Sequence, residues 1–211
     1  MSEATHFSPT EQHGLAAVPD DARQIFSVGI STGGIAEMRM AETHSQAHII
    51  ATTLDVTGLE QAQAMINDAG LSQQIESKIE DVSEPLPYAD GEFDFIYARL
   101  VLHYLSKQTL PPTLRELHRV LKPGHQLFVV VRSVDCPDNH SEGAQYDEQT
   151  GLTTYTHPVK FGGEIFAKRY FHTEDSIRAH VEEAGFTVEY VRSLNERLFA
   201  DFMRTKISPH T

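Results

Sequence analysis

From residue 25 to about residue 190, short runs of β-branched and apolar residues alternate with stretches whose apolar positions recur every three or four residues. Strands are expected at Ile25–Gly29, Ile49–Leu54, Ile75–Ile79, Phe93–Ala98 and Gln126–Arg132, with a final pair at Thr187–Val191 and Leu198–Met203. Helices are expected at residues 35–44, Thr57–Ala69, Leu110–Leu121 and Thr173–Ala184, with a short one over 15–23. Several helices carry their own punctuation. Pro111 and Pro112 suit a first turn, Thr173 is a candidate N-cap followed by Glu174 and Asp175, and Gly70 and Gly185 stand where helices should stop. Strand–helix alternation of this kind dictates an α/β fold, a parallel sheet covered on both faces. In such sheets ligands bind outside the carboxyl ends of the strands, near the switch in strand order.

The chain of 211 residues fits one domain. Within it, residues 1–24 read as an N-terminal segment. Residues 133–168 break the alternation with polar, glycine-containing sequence and read as an insertion near the mouth of an active site. The net charge is −13 and no Lys/Arg cluster exists, which argues against a nucleic-acid substrate, because gripping a phosphate backbone requires a basic surface. The polar N-terminus lacks the apolar core of a signal peptide, and the longest apolar run, residues 127–131, is far too short to span a membrane. No membrane association and a cytoplasmic location are therefore expected. The single cysteine, Cys136, leaves no intrachain disulfide. No paired Cys/His set has metal-ligand spacing, so no metal site is expected, and no Gly-x-Ser-x-Gly nucleophile elbow is present.

Two segments carry a specific resemblance: EPLPYADGEFDFIYARLVLHYL at residues 84–105 and LRELHRVLKPGHQLFVVV at 114–131. Together with YFHTEDSIRAHVEEAGF at 170–186, they resemble the class I S-adenosylmethionine-dependent methyltransferases, in particular the bacterial small-molecule type-11 branch. The likeness runs over residues 25–192. It implies a Rossmann-like, doubly wound, mostly parallel seven-stranded sheet with helices on both faces and an antiparallel C-terminal strand. It also implies S-adenosylmethionine as cofactor, S-adenosylhomocysteine as product and a small-molecule acceptor. The glycine loop departs from the family pattern of an acidic residue followed by Gly-x-Gly-x-Gly. In IFSVGISTG, residues 25–33, Gly29 and Gly33 match the outer glycines, Ser27 stands at the acid and Ser31 at the middle glycine. A serine fits there only with a negative φ or a more distant cofactor, so restoring glycine at Ser31 is expected to keep or improve affinity. The departure also motivates a second reading, a catalytically silent binding or scaffold member of the fold. A nucleotide-dependent oxidoreductase on a similar sheet is a third reading, and the segments at 84–105 and 119–124 argue against it.

The resemblance assigns further roles. Asp55, ending the second strand, would accept from the ribose hydroxyls; the alternative is an ordinary strand-end Asp that starts a turn. Asp81 would accept from the adenine amino group and the Val82 N–H would meet a ring nitrogen; the alternative is an exposed loop acid. Ala98 would lie beneath the transferable methyl. Arg99 either holds an acceptor carboxylate or is a solvated strand-end charge. His103 faces the reaction centre or packs beside Tyr104. Tyr170 and His172 line the acceptor pocket or serve as packing. Methyl transfer from a sulfonium is an in-line displacement that depends chiefly on alignment, with a base required only where the nucleophile must lose a proton. The catalytic residue is therefore left open among His103, Tyr104, Tyr170 and His172.

Overall fold

The computed structural model describes residues 8–154 and 167–194. Five parallel strands form the central sheet: β1 (Gln24–Val28), β2 (His48–Thr53), β3 (Ile75–Ile79), β4 (Phe93–Arg99) and β5 (Leu121–Val130). Their order is β3-β2-β1-β4-β5. The order reverses between β1 and β4, the point at which loops part and leave a crevice.

The sequence places side chains on the two faces by strand periodicity. Ile25, Ile49, Phe95 and Tyr97 point into one core with Ala36, Met40, Ala62 and Ile66. These last residues belong to α2 (Ile35–Thr43) and α3 (Val56–Asp68). Their neighbours Phe26, Ile50, Ile96 and Ala98 point into the other core with Leu110, Leu114, Leu117 and Val120 of α4 (Leu110–Val120). Ala184 joins that side from just beyond α5 (Glu174–Glu183). Central strand β4 is buried from Phe93 to Ala98 because helices cover both its faces. At the amino edge, one Asp94 oxygen accepts from the Arg23 and Gln24 N–H groups, each at 2.8 Å, and the other receives the Lys122 ammonium. Burial opposes the charge, but the Lys122 hydrogen bond and the two backbone donors hold the Asp94 carboxyl below its usual range.

Three expectations change. The first helix, α1, spans Pro9–Ala16 rather than 15–23, because the Ser8 side chain accepts from the Glu11 N–H and Pro9 occupies the first turn. These caps override the apolar content of 15–23, which holds Pro19 and forms turns. Residues Thr187–Val191 form no strand: Thr187, Glu189 and Tyr190 are exposed, and the Glu189 carboxylate accepts from the Gln126 side chain of β5 at 3.1 Å with no ladder between them. The described sheet accordingly has five strands, not seven, while the strand expected at Leu198–Met203 lies outside the described residues. The insertion adds a separate antiparallel sheet of β6 (Gln145–Tyr146), β7 (Thr153–Thr154) and β8 (Lys168–Arg169). Among the described residues, no helix is long and apolar enough to cross a membrane.

Candidate functional site

All five strands run in one direction, so the loops that follow them share one edge. The loop after β1 is pinned to β2 by Ile30 N–H donating to the Thr52 carbonyl at 2.7 Å. Gly29 has φ 78°, and a Cβ there would lie 2.8 Å from Cβ of Val101 in the loop after β4. Glycine is thus required twice over, by its left-handed backbone and by closure of the crevice at the switch point. Gly33 has φ 67°, and a Cβ would meet Sδ of Met65 on α3 at 2.5 Å.

Ser31 has φ −65°, the negative value that lets a serine stand at the middle-glycine position. Its hydroxyl donates to Glu37 Oε2 at 2.6 Å and accepts from the Ala36 N–H at 3.0 Å, which caps the start of α2. Ser27 donates to Glu37 Oε1, also at 2.6 Å, and the Ser31 N–H reaches the same oxygen at 3.3 Å. Both Ser27 and Glu37 are fully buried. A buried acid from α2 therefore lies against the two serines of the β1 loop, and their hydroxyls satisfy it. Glu37 was not legible as a site residue. The available signal was a carboxylate at the helical spacing of buried Ala36, Met40 and Ala41.

Asp55 sits at the N-cap of α3, yet its side chain makes no capping hydrogen bond. Its N–H donates to Thr53 Oγ1 at 3.0 Å and its backbone carbonyl accepts from the Leu59 N–H at 2.9 Å, while neither carboxylate oxygen has a partner among the described residues. Asp81 turns one oxygen, Oδ1, onto the Ser83 N–H and hydroxyl at 2.9 and 2.7 Å. Val82 is buried at 8% exposure, and its N–H donates to no described residue.

Ala98 is fully buried at the end of β4. Arg99 turns to the N-terminal helix: Nε donates to Thr10 Oγ1 at 2.9 Å and Nη2 to Ser8 Oγ at 2.6 Å. Leu100, with φ 58°, is the one non-glycine residue in the left-handed region among the described residues. Such strain at a ligand edge persists only where the surroundings hold it, and here the Leu100 N–H is tied to the Val130 carbonyl at 2.8 Å.

His103 and Tyr104 belong to a single 3₁₀ turn, Leu102–Tyr104, with their ring centroids 4.3 Å apart. The chain returning from β8 closes on this turn and on the extension of β5. The Tyr170 N–H donates to the His103 carbonyl at 2.7 Å, and the His172 N–H to the Arg132 carbonyl at 2.8 Å. Tyr170 and His172 rings lie 4.2 Å apart. The structure thus gathers His103, Tyr104, Tyr170 and His172, adds Arg132 and Arg169 to them, and directs Arg99 to α1. The two arginines were missed in the sequence, where Arg132 reads only as the end of an apolar strand. Burial first, then the Arg132, Arg169 and His172 charges, push the His103 imidazole well below its ordinary range. Burial, aided by His180, pushes His172 down to about 4. Both rings are therefore neutral at pH 7. Two surface hollows, one along Ser45–His48 and Gly70–Gln74 and one along Ala16–Asp20 and Gly124–Gln126, lie at the opposite edge of the sheet.

Residues 25–124 match the methyltransferase-domain family. The chain is 32% identical over 112 residues to a malonyl-[acyl-carrier protein] O-methyltransferase of Erwinia pyrifoliae, covering 53% of this chain and 38% of that protein. An uncharacterised methyltransferase of Synechocystis is 30% identical over 69 residues, 33% of this chain and 32% of its own length. The match thus spans about a third of the length of these curated relatives. Among solved structures, the PH0226 protein of Pyrococcus horikoshii superposes with a TM-score of 0.69 at 13% identity, covering 89% of this chain and 84% of that one. The [4+2]-cyclase SpnF superposes with a TM-score of 0.58 at 22% identity, covering 83% and 55%. At such identities the likeness is one of fold. Residues 25–124 thus carry the methyltransferase-domain match, and the fold around them is the Rossmann-like α/β fold of these solved structures.

Proposed function

We propose that the protein binds S-adenosylmethionine along the loops after β1, β2 and β3 and transfers its methyl group to a small-molecule acceptor. The observation that carries this reading is Asp55, a carboxylate at the end of β2 with both oxygens unengaged although a helix N-terminus lies beside it. The Gly29–Gly33 loop would approach the amino-acid portion of the cofactor. Asp55 would hold the ribose, and Asp81 with the Val82 N–H the adenine edge. When bound, the cofactor supplies an electrophilic methyl on a sulfonium. The residues of this chain supply alignment: the loop fixed by Ile30 and Ser31 sets one reactant, and the loops after β4 and β5 set the other. Ala98, buried with no side chain beyond Cβ, leaves room beneath the reacting centre. The acidic charge of the chain supports a small acceptor over a nucleic acid.

Calorimetry with S-adenosylhomocysteine tests the proposal. Binding should be measurable, and Asp55→Ala should weaken it by roughly 10- to 100-fold, the worth of a hydrogen bond to a charged group, without lowering the melting temperature. No binding at millimolar ligand would sink the methyl-transfer reading. An unchanged dissociation constant in the variant would remove Asp55 from the ribose. Because the fold also houses a cyclase, a methyl-transfer assay has to accompany the binding measurement.

A further inference from the structure

Around the turn after β4 and the extension of β5, four polar nitrogens are buried without a hydrogen-bond partner among the described residues: His103 Nδ1 and Nε2, His172 Nε2 and Arg132 Nε. His103 is 1% exposed and His172 2%. Buried polar atoms in folded proteins are almost always satisfied, so a concentration of exceptions in one place calls for a cause. The cause is not poor backbone geometry, because the segments carrying these side chains are well bonded: Tyr170 to His103, His172 to Arg132, and Val134 N–H to the His172 carbonyl at 3.0 Å. Nor does a nearby carboxylate serve the group. Asp138, at 3.1 Å, is committed to Arg169, and the one described contact of the Arg132 guanidinium is Sγ of Cys136 at 4.0 Å.

We propose that His103, Arg132 and His172 form an anchoring site for a carboxylate group on the acceptor molecule. This rests on the methyl-transfer reading above and deepens it by naming the acceptor's chemical class. The donors suit the ligand. A guanidinium presents N–H groups in a planar fork that matches a carboxylate, and each neutral imidazole adds one N–H. The charge count favours a single negative charge. Both imidazoles are held neutral, Asp138 offsets Arg169, and Arg132 is left as one net positive charge. A dianionic phosphate would leave a negative charge uncompensated beside the rings. Tyr104 and Tyr170 flank the site at ring distances of 4.3 and 4.2 Å from the two histidines, and such apolar walls strengthen a charge-assisted bond by excluding water. The position also fits, since these loops follow β4 and β5, on the far side of the switch point from Asp55 and Asp81.

The test is a titration of the full chain with butyrate, its uncharged isostere butyramide and inorganic phosphate, followed by calorimetry and by histidine ring NMR. Butyrate should bind at least tenfold more tightly than butyramide and more tightly than phosphate, with shift changes concentrated on His103 and His172. Arg132→Gln should erase the preference for butyrate. Equal binding of butyrate and butyramide, or no binding of either, overturns the proposal. So does tighter binding of phosphate, or an undiminished preference in Arg132→Gln. Should that variant fail to fold, the comparison of the three ligands on the unaltered chain still decides. Running the titration beside the S-adenosylhomocysteine measurement separates the two readings. Cofactor binding without a carboxylate preference sinks the anchoring site alone, and a carboxylate preference without cofactor binding sinks methyl transfer alone.

Discussion

Ser31 shows how a single position can change meaning once its surroundings are known. In the sequence it is a glycine position filled by a larger residue. In the structure its hydroxyl satisfies a buried carboxylate and caps a helix at once. Ser31→Gly should therefore destabilise the protein by about 1.5–3 kcal/mol, the worth of a hydrogen bond to a charged group, whatever it does to cofactor affinity. Thermal unfolding checks this: a loss of roughly 3–12 °C is expected for a chain of this size, and an unchanged melting temperature would show the network to be dispensable. Asp55 stood out in the sequence as an acid ending a β-branched run, and the resemblance gave it its candidate role. Glu37 did not stand out. Its partners, Ser27 and Ser31, lie before it in the loop and strand, and only the fold turns all three side chains inward.

At the scale of elements, local signals decided what could be read. Thr173 announces the start of α5, and the structure finds a full capping box, Thr173 Oγ1 accepting from the Ser176 N–H and Ser176 Oγ accepting from the Thr173 N–H, both at 3.0 Å. Thr173→Ala should cost about 1 kcal/mol and speed amide hydrogen exchange in the first turn of α5. Exchange rates there that do not change would mean that packing alone holds the helix end. The same logic explains the misplaced first helix, where Ser8 and Pro9 set a start that the apolar residues of 15–23 concealed. Residues 187–191 have the composition of a strand, but strand formation depends on a partner edge, and sequence pattern does not reveal whether one is offered.

For the molecule as a whole, the buried imidazoles set the response to acid. The His172 ring titrates near 6.5 in the unfolded chain and at about 4 in the fold. Between those values the unfolded chain binds the additional proton, so stability is full above 6.5 and declines as pH falls toward 4. The full separation corresponds to about 3 kcal/mol. Burial shifts His103 and His180 in the same direction. Melting temperature should fall between pH 7 and pH 5, and His172→Gln should flatten that decline. An acid profile identical to that of the unaltered protein would show that His172 is not held neutral.

The insertion leaves the sheet and returns to it at neighbouring points: Ser133 and His172 are bridge partners, and the Arg132 carbonyl accepts from the His172 N–H. A segment whose two ends already meet closes its own loop, so its length and content can vary with little entropic consequence for the frame beneath it. A change in this module's length or content therefore leaves the half of the sheet that carries Gly29, Asp55 and Asp81 without added strain.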